Sequence, residues 1–292
     1  PWITTSTSAV QPSRRTHERD GMPRASYIGI TVSMILLVLM LVVWLPLPQG
    51  EIALPLNGLS LDLALPPKAV VAVVLVALAA AGMDAVTRPL FAPAGQLGRR
   101  IPLWVLPGFV SVAGLVSLAD LWWGYQLIVV ALTGLALTAV MVAEFHATYE
   151  QSQYQHIARL IVQVLAYVAA MVLFSTLYAT RMRGALLGSG TLLLGGGLAL
   201  VLLSSENIQP RHAWLYASVI GLCMGELTLA LNYYLLEVPV AGALLLVLFY
   251  TLTGLAQQHL WQRLTRRVVL EYVLVATVGL AATALLNRVL VG

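Results

Sequence analysis

The chain has 292 residues, of which 60% are hydrophobic and only 10% are charged, and its mean hydropathy is +0.88. A soluble domain carries about 25% charged residues, so this composition indicates a polytopic membrane protein whose first partner is the lipid bilayer. The 16 basic residues are scattered in short clusters between apolar runs, which excludes nucleic acid as a partner. The single cysteine, Cys223, excludes an intrachain disulfide and a cysteine-based metal cluster.

Residues 1–26 are polar and end in a basic cluster, so they predict a disordered cytoplasmic tail. Because the sequence begins with Pro1 rather than Met, we expect its natural start to differ, with Met22 as one candidate. The remainder, 27–292, predicts a single transmembrane helical domain.

The segment 51–65 is the one part of the chain with a strand pattern. Large apolar residues alternate with small or polar ones on both sides of Asn57-Gly58, a dipeptide that favours a type I′ turn. We therefore expect a short extracytoplasmic β-hairpin. It would serve either as a lid or docking element or as a linker lying in the membrane interface.

The other apolar runs predict an all-α bundle of nine transmembrane helices, since each run is near the roughly 20 residues that cross the hydrocarbon core. The expected spans are 27–47, 69–86, 101–119, 121–145, 157–178, 185–204, 213–236, 238–256 and 268–286.

The distribution of basic residues predicts the orientation. With a cytoplasmic N-terminus, 12 of the 16 Lys and Arg residues fall on the cytoplasmic side. The remaining four are Lys68, Arg181, Arg183 and Arg288. This bias follows the positive-inside rule and predicts an odd number of spans with the C-terminus outside.

No catalytic motif, metal site or cofactor site is predicted. The sequence lacks the GxxxxGK, HExxH, CxxC and GxSxG patterns. Glu144, His146 and Glu150 have spacings that could ligate a metal, but a solvated helix end is the favoured interpretation.

The stretch 215–236 holds the strongest candidate for a functional residue. Glu226 lies near its middle, and an ionisable residue at that depth usually faces a bundle interior or a partner. With Asn232 and Tyr233 it forms a candidate intramembrane polar site. We expect Glu226 to face the bundle interior.

Small residues on the same helix predict close packing. Gly221 and Gly225 share a face, and we expect that face to contact the glycine-rich sixth span. The run at its centre is Gly195, Gly196 and Gly197. Close packing is favoured for this run over a broken helix that would bind substrate.

Two ion pairs are predicted at the cytoplasmic rim, each with its members four residues apart on one helix face. They are Asp84 with Arg88, and Arg267 with Glu271.

The NG hairpin, the AAGMDAVTR segment at 80–88 and the stretches 225–260 and 264–280 together resemble a family of uncharacterised bacterial multi-pass membrane proteins, known only as a domain of unknown function. The resemblance covers most of the chain after about Tyr27. It implies a bacterial cytoplasmic membrane and assigns no site.

Three classes of function stay open. Small-residue faces and short loops favour a structural or assembly component of a membrane complex, with other membrane proteins or copies of itself as partners. Glu226, Asn232 and the triple glycine favour a small-solute or proton-coupled transporter. A lipid-modifying enzyme would need several acidic or histidine residues together at one interface, and the sequence shows no such cluster.

Overall fold

The computed structural model describes residues 25–45, 52–53, 64–65, 67–91, 103–118, 122–148, 153–180, 184–204, 210–234, 236–263 and 265–291. Nearly all of the predicted tail lies outside these residues. The described residues form nine α-helices. They are α1 Ala25–Trp44, α2 Pro67–Phe91, α3 Val105–Ser117, α4 Trp123–Thr148, α5 Gln155–Ala179, α6 Gly184–Leu203, α7 Pro210–Leu231, α8 Val238–Leu260 and α9 Arg266–Val291.

Seven of these helices are long and apolar enough to cross a membrane: α1, α2, α4, α5, α7, α8 and α9. The two others, α3 and the Leu187–Leu203 part of α6, are apolar but shorter. The prediction of nine spans is therefore confirmed only in part, because nine helices are described and seven of them are candidate spans. Helices suit this setting because they pair their own backbone polar groups where no water can do so.

The predicted hairpin over 51–65 is not supported by the structure. Two strands of two residues each, β1 Ile52–Ala53 and β2 Ala64–Leu65, pair antiparallel, with Ile52 opposite Leu65. The expected turn at 57–58 lies outside the described residues. An isolated two-stranded pairing is marginal in water even when it is longer than this one. The fold is therefore all-α.

The shortest helix, α3, lies at the centre of the bundle. Nine of its 13 residues are buried, and it packs against α2, α4, α5 and α6. Pro107 explains why the helix begins only at Val105, because a proline ring clashes with the carbonyl four residues earlier, here that of Leu103. The span predicted at 101–119 is therefore a helix of about 20 Å, less than the hydrocarbon thickness.

Hydroxyl groups inside the bundle are satisfied by their own helices. Thr133, Thr228 and Thr253, for example, donate to the carbonyl four residues earlier at 2.7–2.8 Å. This local bonding is common where no water is available. Bonds between helices are few in the described bundle, and one of them joins the Tyr167 hydroxyl of α5 to Thr253 Oγ1 of α8 at 3.3 Å.

Candidate functional site: the two faces of α7

Helix α7 ends earlier than its apolar sequence predicts. The expected span reaches residue 236, but the helix stops at Leu231 and the chain turns through Asn232 and Tyr233. The Tyr178 hydroxyl of α5 donates to the Tyr234 carbonyl at 2.8 Å and so fixes this turn. Helix α8 then begins with Pro239 in its first turn, where proline needs no N–H partner.

One face of α7 packs against α6 through glycine, a contact we call the glycine seam. A Cβ at Gly221 would lie 2.6 Å from the Leu192 carbonyl oxygen and 3.0 Å from Gly196 Cα. A Cβ at Gly225 would lie 2.9 Å from the Gly188 carbonyl oxygen. The two backbones therefore approach more closely than any side chain allows, as small-residue membrane interfaces do.

The triple glycine of α6 lies in an unbroken helix and faces two neighbours. Gly195 and Gly196 contact α7, whereas a Cβ at Gly197 would lie 2.7 Å from the Phe109 ring of α3. Continuity of the helix leaves no freed backbone groups to bind a substrate. Packing, rather than a substrate site, is what these glycines provide.

A second face of α7 carries Glu226, and the structure places this residue outside the bundle rather than in its interior. The side chain is exposed, and it makes no hydrogen bond or ion pair with any described residue. The reason is geometric. The glycine seam takes the face that meets α6, and Glu226 is about 100° around the helix from Gly225.

The height of Glu226 in the bundle follows from the register between α7 and α8. The Tyr216 ring of α7 contacts the His259 ring of α8, with centroids 5.8 Å apart. Because the two helices run antiparallel, Glu226, ten residues after Tyr216, is level with residue 249. Phe249 is the middle residue of the 23 in α8. Glu226 therefore lies near mid-height, about 17 Å from either end of α8.

Glu226 forms part of a shallow groove between α7 and α8, which we call the outer groove. From α7 it is lined by Cys223, Glu226, Leu227 and Ala230. From α8 it is lined by Leu248, Thr251 and Leu252. The Thr251 hydroxyl already donates to the Val247 carbonyl at 2.8 Å, so among the oxygen-bearing side chains that line the groove only the Glu226 carboxyl lacks a partner in the described residues.

The other candidate polar residues are not assembled around Glu226. Asn232 and Tyr233 are exposed in the turn that follows α7, and they are six and seven residues further along the chain. Neither of them lines the outer groove that holds Glu226.

Of the two predicted rim pairs, the one between Arg267 and Glu271 is not seen among the described residues. Arg267 and Glu271 are both exposed at the start of α9, and no ion pair joins them. The side chain of Arg88 lies outside the described residues, so its pairing with Asp84 stays a prediction. The contribution of such exposed pairs is small in any case.

Glu144 is the residue that sequence reasoning missed. It lies near the end of α4, where a solvated side chain was expected, yet it is 3% exposed and its Oε2 atom has no hydrogen-bond partner. Neighbouring helices cover it, and nothing in the local sequence signals this. The described residues contain no group of three potential metal ligands, and Glu150, the third member of the candidate metal set, lies outside them.

Seven membrane-length apolar helices, with a lone carboxyl on the outer surface of one of them, fit a multi-pass helical membrane protein. The chain belongs to a family described as a protein of unknown function, DUF5656, whose family model matches residues 47–286. The resemblance to a domain of unknown function is thereby confirmed. No curated protein and no solved structure matches the chain.

Proposed function

We propose that the protein is a subunit of a membrane assembly and that a partner helix docks on the outer groove. The observation that carries the proposal is the exposed, unpartnered carboxyl of Glu226 near mid-height of the bundle. An ionisable residue at a helix centre costs about 2.5–3.5 kcal/mol on insertion scales, and such residues almost always face an interior, a cavity or a partner. A Glu226 side chain that faced only lipid would carry this cost in full.

Escape of the carboxyl to the membrane surface does not remove this cost. The nearer end of α7 is Leu231, five residues beyond Glu226. Side chains on a helix lean toward its N-terminus, so the Glu226 side chain is directed away from that end. A polar partner within the membrane is the remaining way to stabilise it.

The rest of the described bundle supports assembly rather than a polar pathway. Buried threonines are bonded to their own helices, and the glycine seam is closed backbone against backbone. We further propose a bacterial cytoplasmic membrane, with the N-terminus cytoplasmic and the C-terminus outside. The split of basic residues supports this orientation.

Replacement of Glu226 by Leu tests the proposal. We expect the parent protein, extracted in mild detergent, to run as an assembly larger than its own 31.4 kDa, and Glu226→Leu to release the single chain. The released chain should stay folded with the helical content of the parent, because Glu226 has no partner within the described chain. Native mass spectrometry and circular dichroism measure the two quantities.

Glu271→Leu is the matched control, since it removes an exposed carboxyl at the rim of α9, outside the groove. The control should leave the assembly intact. A parent protein that is a single chain in nanodiscs, or an assembly unchanged by Glu226→Leu, would overturn the proposal.

A second candidate, proton-coupled transport, is favoured by Glu144. This buried carboxyl has one oxygen without a partner, as a proton-carrying residue inside a bundle often does. On this proposal, Glu144→Gln keeps the fold but abolishes pH-dependent uptake in proteoliposomes. Uptake that is absent from the parent protein, or unchanged in the variant, contradicts it.

A further inference from the structure

We propose that the occupant of the outer groove is a second copy of this chain, related by a two-fold axis along the membrane normal, so that the Glu226 carboxyls of the two copies bond to each other. The inference rests on the proposed function and names its partner. Two carboxylic acids are self-complementary, because each protonated carboxyl both donates and accepts a hydrogen bond.

The positions of the basic side chains favour pairing of two Glu226 residues over contact of Glu226 with another face of a second copy. The described basic side chains lie at or near helix ends, not at the height of Glu226. They are Lys68, Arg159, Arg211, Arg263, Arg266, Arg267 and Arg288. No described part of the same chain therefore presents a cation at mid-height. The group that this chain does offer there is a second Glu226.

A two-fold axis along the membrane normal is enough to bring the two Glu226 carboxyls to the same depth. A two-fold axis along the membrane normal keeps every residue at its own depth, so identical residues near the axis meet. Any other arrangement of two copies would set Glu226 of one chain against a different part of the other, where no described cation lies at that height. The isologous arrangement is the one that partners both carboxyls at once.

The surface around Glu226 permits close approach of two α7 helices. Cys223 and Ala230 lie one turn before and one turn after Glu226 on the same side of the helix, and both line the groove. Small residues flanking a polar group are typical of membrane helix contacts. The exposed Leu222, one turn before Glu226 on its other flank, supplies apolar contact area.

The exposed surface of α9 shows what sets the outer groove apart from a surface that only lipid covers. Helix α9 is the least covered candidate span, with 6% of its residues buried, against 28–39% for the other candidate spans. Its Thr277 hydroxyl already donates to the Val273 carbonyl at 2.8 Å, and the unpartnered Oδ1 of Asn287 lies close to the C-terminal end of the helix. No described polar group of α9 at the height of Glu226 therefore lacks a partner. The carboxyl of Glu226 distinguishes the outer groove from such a lipid-facing surface.

The single cysteine of the chain provides the test. In a two-fold contact through Glu226, the Cys223 side chains of the two copies lie near each other, one turn from the carboxyl pair. Copper-phenanthroline oxidation or a short bis-maleimide, applied to native membranes, should give a species of about 63 kDa, twice 31.4 kDa. Glu226→Leu should reduce the cross-linked fraction at least tenfold, whereas Glu226→Gln should retain it, because a pair of amides can also donate and accept.

The matched control moves the thiol to another exposed surface at the same height. Leu274→Cys in a Cys223→Ser background places it on α9, where we expect no cross-link. Glu226→Lys adds a second test. Two Glu226→Lys chains should not cross-link with each other, but a Glu226→Lys chain should cross-link with the parent chain when the two are co-expressed.

The outcomes separate this inference from the proposed function. If Cys223 cross-links only to a chain of different mass while assembly still depends on Glu226, the second-copy inference fails and the proposed function stands. If the parent is a single chain and gives no cross-link, both fail. Loss of the 63 kDa species in Glu226→Gln also counts against the carboxyl pair.

Discussion

At Gly221, helices α6 and α7 leave no room for a methyl group. The atoms that a Cβ would meet are the Leu192 carbonyl oxygen and the Gly196 backbone, and a helix backbone cannot rotate away as a side chain can. The seam therefore depends on the absence of a side chain rather than on any bond. Dispersion contact along two backbones is the stabilising term, and it falls off within a fraction of an ångström.

Gly221→Ala should therefore destabilise the protein. Overpacking costs about 1–3 kcal/mol, which exceeds the gain of about 1 kcal/mol expected from replacing glycine by alanine within a helix. We expect a lower melting temperature in detergent. The control is Gly29→Ala on α1, where a Cβ would meet nothing within 4 Å and only the helical gain applies. Equal melting temperatures for the two variants would show that the seam is looser than described.

Residue spacing predicts which side chains share a face, but not which face a neighbouring helix takes. The spacing of Gly221 and Gly225 indicated a packing surface, and the structure places that surface on α6. The same periodicity separated Glu226 from that surface, yet it could not tell an inner from an outer position. Glu144 shows the converse, because only the tertiary arrangement covers a residue close to a helix end.

At the scale of whole elements, the existence of helices was predictable and their position in the bundle was not. Apolar runs of about 20 residues dictate helices in lipid, since the backbone has no other way to pair its polar groups. Composition does not distinguish the central α3 from the peripheral α9, because both are apolar and lipid covers a helix as well as protein does. Contacts such as that of Gly254 with the Tyr272 ring determine where α9 packs.

Element ends were less predictable than element existence. The apolar stretch through residue 236 continues past the end of α7, because Leu235 and Leu236 resemble helix interior by composition. The turn is set instead by a distant contact, the hydroxyl of Tyr178 on α5. Pro107 at the start of α3 is the opposite case, since a local steric rule explains where the helix begins.

At the scale of the whole molecule, and with α6 taken as a crossing helix, the path of α3 decides the side on which the chain ends. Gly114 of α3 packs against Thr133 of α4, and the Leu118 carbonyl accepts from the Gln126 side chain at 3.3 Å, so α3 and α4 run antiparallel. If α3 crosses, successive helices alternate and 12 of the 16 basic residues lie inside. If α3 only dips into the membrane, every later helix is inverted. The inside count then falls to ten: seven of the eight basic residues before α3, all but Lys68, together with Arg181, Arg183 and Arg288.

With α6 crossing, the positive-inside rule therefore favours a crossing α3, although its regular helix has only 13 residues. We expect the N-terminus in the cytoplasm and the C-terminus outside. A phosphatase fused after Gly292 should be active and a cytoplasmic reporter there inactive, and fusions after residues 95 and 120 should report opposite sides. The two fusions that bracket α3 act as an internal control, because they test its crossing alone. If both report the cytoplasm and the Gly292 fusion is inactive, α3 is a re-entrant helix and the orientation of α4 through α9 is the reverse of the one proposed.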